Sequence, residues 1–566
     1  MIVGCYHTII SVMEGKIMKT VKVLVAASMA AALLAGCGSK TDTDTFRFAS
    51  ELDIQGMDST VVDDGMSYNA IHAITDGLTA VNDKGKTVPA LAKSWDVSAD
   101  GKTYTFHLKD AKWSNGDEVT ANDFVYSWKR IIKNAGTYAY MFGNEGASVK
   151  NANQLIDLGP KATDEQMNTL GVKATDDKTL VVELNNKVPY FTDLMAFPCY
   201  FPQNEKFVEK CGKNYGTKPE YTLSNGAYKM TKWIKGNKAT FTKNDKYYDA
   251  KAVKTKNLEM FLVQDPKTAA QNFDNGKVDY ATINSTLVDK YKGKDTFTTF
   301  NEGFLFYLNL NLQNKTIADK NVREALSYAI NRKDLCEKVL KDGSKAATGF
   351  VPSQLSKSPA GKDFRDTAGD LVGYDVKKAQ EYLDAAKKDL GTDTITIDLL
   401  YGTDESPMDT MAEYLQGSFS KLKGLKVNMV ATVKKDRIYN RQDKGNYQVS
   451  CTRWGPDYAD PTTYLNLPLT GNSNNFGKYS NAKYDALMSQ IQTESDLNKR
   501  WDLMVQAEKI MLDDVAFIPV FEKGAAALKA KNVKGLVHSA TGTPYTFKRI
   551  IRPTVEGLAE ENIDYK

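Results

Sequence analysis

The apolar positions fall into two periods. Phe46-Arg47-Phe48-Ala49 and Thr103-Tyr104-Thr105-Phe106-His107-Leu108 alternate every second residue, as a strand with one buried face does. Residues 66–78 read as a helix that ends near Gly77. Asp100-Gly101 is a hairpin signal, and it joins the run before it to the strand at 103–108. A second hairpin surrounds Ser114-Asn115-Gly116-Asp117, and a helix follows to Ile132, capped by Thr120 or Asn122. In the second half, Asp319 can cap a helix whose Val322, Ala325, Leu326, Ala329 and Ile330 share one face. A strand at 394–400, a helix at 408–422 stopped at Gly424, and a strand at 427–433 make a βαβ unit. Such a unit implies a parallel sheet. A further helix at 437–442 leads to a strand-like run at 447–451.

That run ends in Arg453-Trp454-Gly455-Pro456-Asp457-Tyr458-Ala459-Asp460-Pro461. Two prolines fix φ, and Gly455 permits close approach to the backbone. Aromatic faces and carboxylates on a stiff turn can receive a ligand cation. The plain alternative is an ordinary turn, with Trp454 in the core and both aspartates solvated. The position matters: in α/β sheets ligands bind beyond the carboxyl ends of the strands.

Composition narrows the setting. Met18-Lys19-Thr20-Val21-Lys22 is a basic start, and an apolar run to Ala35 ends in Leu34-Ala35-Gly36-Cys37. That run is too short for a comfortable membrane span and reads as a secretory signal. Translation is expected to begin at Met18, with residues 38–44 a polar tether. The remaining body exceeds 500 residues, so two or three domains are expected. There are 74 Lys and Arg against 70 Asp and Glu, interspersed, and nothing marks a nucleic-acid surface. Cys199, Cys211, Cys336 and Cys451 are too few for a disulfide-built scaffold; Cys199 and Cys211 could close a loop or stay separate thiols. No Cys-x-x-Cys, His-Glu-x-x-His or Gly-x-Ser-x-Gly motif is present, and the mature chain holds only His72, His107 and His538. No metal, no cofactor and no catalytic residue is therefore expected.

Several ordered motifs carry a resemblance. They are Pro89-Ala90-Leu91-Ala92, Asp100-Gly101-Lys102-Thr103-Tyr104-Thr105-Phe106, Lys112-Trp113-Ser114-Asn115-Gly116 and Asp123-Phe124-Val125-Tyr126-Ser127-Trp128. Ser224-Asn225-Gly226-Ala227-Tyr228 and Val322-Arg323-Glu324-Ala325-Leu326 continue the series. From about Phe46 to the C-terminus the chain resembles the oligopeptide-binding (OppA-like) proteins of ABC importers. Leu34-Ala35-Gly36-Cys37 resembles the bacterial lipoprotein signal, in which Cys37 carries lipid.

The resemblance implies an α/β, type II periplasmic-binding-protein fold of two hinged lobes plus an added domain. One lobe is expected at 45–85, 225–305 and 523–566, the added domain at 86–224, and the other lobe at 306–522. It implies capture of oligopeptides and delivery to an ABC permease, without catalysis, by a lipid-anchored monomer on the extracellular or periplasmic side. Asp457 matches the aspartate that binds the peptide ammonium. Arg453, Trp454 and Gly455 match a strand-pairing wall, with Met66 and Ser67 opposite in the first lobe. Tyr138 matches an aromatic contact from the added domain, Arg441 a carboxylate contact and Phe521 an aromatic near the ligand N-terminus. Gly455-Pro456 departs from a Cys-Ala pair in the family, which removes one backbone donor and puts the known inter-strand disulfide in doubt. Alternatives on the same fold are carriers of dipeptides, nickel chelates, haem or oligosaccharides; from another class, a surface hydrolase.

Overall fold

A computed structural model describes residues 44–82 and 86–552. Cys37 and its signal lie outside the described residues. Among the latter, no helix is long and apolar enough to cross a membrane.

The frame is an eleven-stranded mixed sheet. Its two long strands, Phe297–Leu310 and Phe517–Lys529, pair antiparallel with a register shift between Asn301 and Leu305. On one side lies Val449–Trp454, followed by Ile395–Gly402 and Leu425–Thr432, these three running parallel. On the other side come Tyr280–Ile283, Thr45–Ser50, Asn257–Leu262, Lys238–Lys243 and Tyr228–Ile234. The two long strands thus belong to both halves. A separate four-stranded sheet, Ala92–Val97, Thr103–Leu108, Thr179–Glu183 and Val172–Asp176, builds the added domain.

Alternation explains the layering. Phe306, Leu308 and Leu310 enter one apolar cluster, with Val322 and Leu326 of helix Lys320–Tyr328 and Met411 and Leu415 of helix Met408–Phe419. Leu305 and Tyr307, pointing the other way, enter a second cluster with Met488 and Met504 from helices Ala482–Thr493 and Leu497–Asp513. Helices therefore cover both faces of the sheet around the strand Phe297–Leu310. A third, larger cluster spans the first lobe and the added domain, from Phe46 and Phe48 to Trp113 and Trp128.

Local signals are realised where their partners are close in sequence. The Asp319 carboxylate accepts from the N–H of Asn321 and Val322. Thr120, not Asn122, caps helix Ala121–Lys133, in a box with Asp123. Gly101 takes φ +70° in the Asp100-Gly101 turn, which joins Ala92–Val97 to Thr103–Leu108. Several boundaries differ from expectation; the helix read at 408–422 is Met408–Phe419 and the strand read at 427–433 is Leu425–Thr432. The helix read at 66–78 is Gly65–Ile74, because Thr75 turns extended and Asp76 is drawn aside by the Tyr247 and Tyr248 hydroxyls and by Asn225. The strand read at 447–451 runs Val449–Trp454, because Phe306 and Leu305 extend its ladder to Arg453 and Trp454. Residues Asp436–Gln442 form a π-type helix. Cys199, Cys211, Cys336 and Cys451 are all free thiols, so the 199–211 loop is not bridged.

Candidate functional site

Val449–Trp454 is paired to Ile395–Gly402 only at Val449 and Ser450. The residues beyond, up to Trp454, have no strand on that edge. An edge of this kind presents free backbone groups to an extended chain. Arg453 stands there and lines a cavity of about 470 Å³. Its guanidinium lies 4.6 Å above the Phe304 ring, and Nε is 3.4 Å from Glu405 Oε1. A Cβ on Gly455 would come within 2.4 Å of the same ring, so glycine lets Phe304 sit under Arg453. The half-buried Trp454 donates its indole N–H toward Thr463 Oγ1 at 3.5 Å.

The cavity draws walls from both halves. Met66 and Glu51 come from the first lobe, Asp409 and Arg453 from the other, and Glu302, Phe304 and Lys523 from the crossing strands. Lys523 is 2.9 Å from Asp342 and 3.9 Å from Glu302. Burial, then the neighbouring Glu302, pushes the Glu51 carboxyl up.

Asp457 faces a second, smaller cavity of about 40 Å³. The two cavities share one wall, the C-terminal hairpin formed by Val537–His538 and Tyr545–Thr546. Gly542 of its loop donates its N–H to the Pro456 carbonyl at 3.2 Å. The Asp457 N–H donates to Thr463 Oγ1, and Oδ2 accepts from the Tyr140 hydroxyl at 2.5 Å. Among the described residues no lysine, arginine or histidine pairs with this carboxylate. Burial pushes its pKa up to about 6, against the pull of the Tyr140 hydrogen bond. The plain turn reading holds only in part: Trp454 is half-buried against an apolar cluster, Asp457 is partly buried, and Asp460 is buried.

The other expected residues divide. Met66 lines the large cavity. Ser67 is sealed from solvent, and its hydroxyl accepts from the N–H of Gln55 and Gly56, tying down a loop. Tyr138 packs against Tyr68, Phe197 and Tyr140, one layer behind the Asp457 contact, which Tyr140 makes. Arg441 is not brought to either cavity: it is exposed beside Asp436, on a helix whose other face holds Arg437 inward. Phe521 is also elsewhere, stacked on Phe306 at 4.6 Å, because its strand position faces the helices. Sequence reasoning missed Tyr140, Glu405 and the C-terminal hairpin. Only the last had a local signal, Ala540-Thr541-Gly542-Thr543-Pro544, a turn composition.

Comparison with known proteins now bears on this architecture. Residues 86–476 match the model of the bacterial extracellular solute-binding proteins, family 5 Middle. The chain belongs to that family. Family-5 proteins are binding proteins rather than enzymes, and they act on the extracellular or periplasmic side. The chain is 36% identical over 538 residues to the dipeptide-binding protein of Lactococcus lactis subsp. cremoris (strain MG1363), covering 91% of this chain and 96% of that one. It is 33% identical over 505 residues to the oligopeptide-binding protein OppA of Bacillus subtilis (strain 168), covering 86% and 88%. A solved structure of Listeria monocytogenes OppA bound to peptide matches with a TM-score of 0.77 and 34% identity, over 90% of this chain and 99% of that chain. The two-lobed family-5 fold and its added domain are thus those of this protein.

Proposed function

We propose that the protein is a receptor that captures oligopeptides between its lobes and delivers them to an ABC permease. The observation that carries this reading is Asp457: a partly buried carboxylate that meets no cation among the described residues, facing a cavity lined from both lobes. Every linear unmodified peptide brings an ammonium. Bound there, it would supply the missing charge. The open edge at Arg453 and Trp454 would take the peptide main chain as an added strand, with Met66 opposite. Backbone pairing gives affinity without regard to sequence, which suits a receptor of many peptides. Tyr138 would act behind Tyr140, and Ser67 would hold the loop that ends the first wall.

Capture rather than catalysis is what membership of a family of binding proteins supports. Burial lowers His72 to about 4 and His538 to about 3, while His107 sits at the surface beside Asp96. Among the described residues, no group of three or more His, Cys, Asp or Glu could hold a metal. The lobes would be 45–85 with 225–305 and 523–566, and 306–522, with 86–224 added. Two of these boundaries fall inside the long strands, so the hinge would be the strands themselves. Cys37 would carry the lipid anchor; Cys37→Ser should then release the protein from membranes or leave it uncut, and a variant both membrane-bound and normally cleaved removes the anchor.

A mixed peptide library tests the main reading. After incubation and native mass spectrometry, bound peptides should be released intact on denaturation. Cleaved peptides, or no bound peptide at all, would overturn it.

A further inference from the structure

The cavity beside Asp457 has polar walls that the fold leaves unfinished. Thr543, in the loop of the C-terminal hairpin, is 8% exposed, and its hydroxyl has no hydrogen-bond partner. His72 lines the same cavity, and its Nδ1 is likewise buried without a partner. Burial keeps that imidazole neutral near pH 7, and in the Nε2–H tautomer Nδ1 offers a lone pair. Asp457 adds a carboxylate whose one protein partner is a hydroxyl. Buried polar atoms are rarely left unpaired, and each costs free energy until something satisfies it. Two such atoms lining one cavity with Asp457, and with a second carboxylate at Asp193, describe their own complement: a small cation with several N–H donors. The volume agrees. A water needs roughly 10–15 Å³ of such space, so about 40 Å³ has room for an ammonium group.

We propose that Thr543 Oγ1 and His72 Nδ1 complete, with the Asp457 carboxylate, a three-acceptor socket for a primary ammonium. The consequence is a selection that charge alone does not give. A primary ammonium has three N–H donors, whereas N-terminal proline or an N-methyl residue has two. Both carry the same charge, but the secondary amine leaves one acceptor unpaired. The receptor therefore favours peptides that begin with an unsubstituted amine. This inference rests on the assignment of Asp457 to the peptide ammonium made above.

The probes are di- to penta-alanine, each with a free, an N-methylated and an N-acetylated amine, titrated calorimetrically into the protein. Losing one hydrogen bond to a buried acceptor is worth about tenfold in affinity. The free-amine form should thus bind about tenfold better than the N-methyl form. Thr543→Val should weaken the free-amine peptide by about tenfold and bring that ratio toward one, because the methyl group then meets an apolar wall. Thr543→Ser, which keeps the hydroxyl, should restore the wild-type ratio. His72→Leu is an independent variant with the same expectation, and thermal unfolding reports whether each variant is folded. A ratio unmoved in folded Thr543→Val and His72→Leu, or equal binding of both amines by wild type, removes the socket alone. If no alanine peptide binds in any form, the peptide reading falls and the socket with it.

Discussion

Asp457 and Asp460 lie three residues apart in one turn, and their surroundings are opposite. Asp460 is buried and gripped by Arg500 through both oxygens, at 2.7 and 3.0 Å, with Thr462 donating its N–H and hydroxyl as well. Burial pushes its pKa up, but Arg500 outweighs that and holds it below the usual carboxylate range. Asp457 is desolvated too, yet a tyrosine hydroxyl is its side-chain partner, and its pKa rises to about 6. The difference separates two uses of a buried acid. A carboxylate that meets its cation within the chain is part of the scaffold. One left without a cation is a cost to the empty protein, and a ligand can remove it.

The largest effect is expected at the scaffold end. Asp460→Asn leaves Arg500 buried without its charge partner and should lower unfolding stability by about 3–5 kcal/mol, read from denaturant titration. A loss below about 1 kcal/mol would place Asp460 outside the scaffold. Asp457→Asn should do the reverse. Affinity for free-amine peptides should fall by about two to three orders of magnitude, corresponding to roughly 3–4 kcal/mol, while N-acetyl peptides change little. Equal losses for both peptide forms would make Asp457 structural and erase the contrast.

The two acids should also give opposite pH signatures. Asp457 has a raised folded pKa, so its contribution to the stability of the empty protein is present below about 3.8 and is lost as pH rises through about 6. The loss is on the order of 3 kcal/mol, and Asp457→Asn should abolish it. Asp460 has a lowered folded pKa, so its contribution is present above 3.8 and is lost as pH falls through that lower value. Because the ligand needs the ionised Asp457, affinity for a free-amine peptide should drop by about tenfold from pH 7.5 to pH 5. A flat profile in wild type would mean that Asp457 does not titrate with binding.

The smallest effect distinguishes two tyrosines. Tyr140→Phe removes the hydroxyl that holds Asp457 and should weaken free-amine peptides by a few-fold, on the order of 1 kcal/mol. Tyr138→Phe, one layer back, should stay within about twofold. If Tyr138→Phe proves the more damaging in calorimetry, the layers have been assigned in the wrong order.

What could be read from sequence follows the distance over which each feature is decided. The Asp319 cap, the Thr120 box and the parallel unit around Ile395 and Val427 depend on neighbours a few residues away, and periodicity or capping chemistry exposes them. Asp457 and Trp454 were singled out as candidates by an ungapped motif. Tyr140 meets Asp457 across 317 residues, and Arg500 meets Asp460 across 40, so no local pattern could choose Tyr140 over Tyr138 or tell the two aspartates apart. Arg441 and Phe521 failed to reach a cavity for a related reason. A shift of one residue turns a side chain to the opposite face of a strand, or by about 100° around a helix, and only tertiary packing sets that phase.

The long pair Phe297–Leu310 and Phe517–Lys529 has a mechanical consequence. Two hydrogen-bonded ribbons whose irregularities lie close together, at Asn301 to Leu305 around Gly303 (φ +81°) and at Phe306 to Tyr307, behave as a flexure rather than a cord. A flexure yields about one axis and stays stiff about the others, and it has a rest angle to which it returns. Opening would then be rotation along one track, with elastic recoil, instead of diffusion of two tethered bodies. A partner that reads the outer face of both lobes would see the same closed shape whatever peptide lies within. That uniformity would let one permease accept cargo of many sequences.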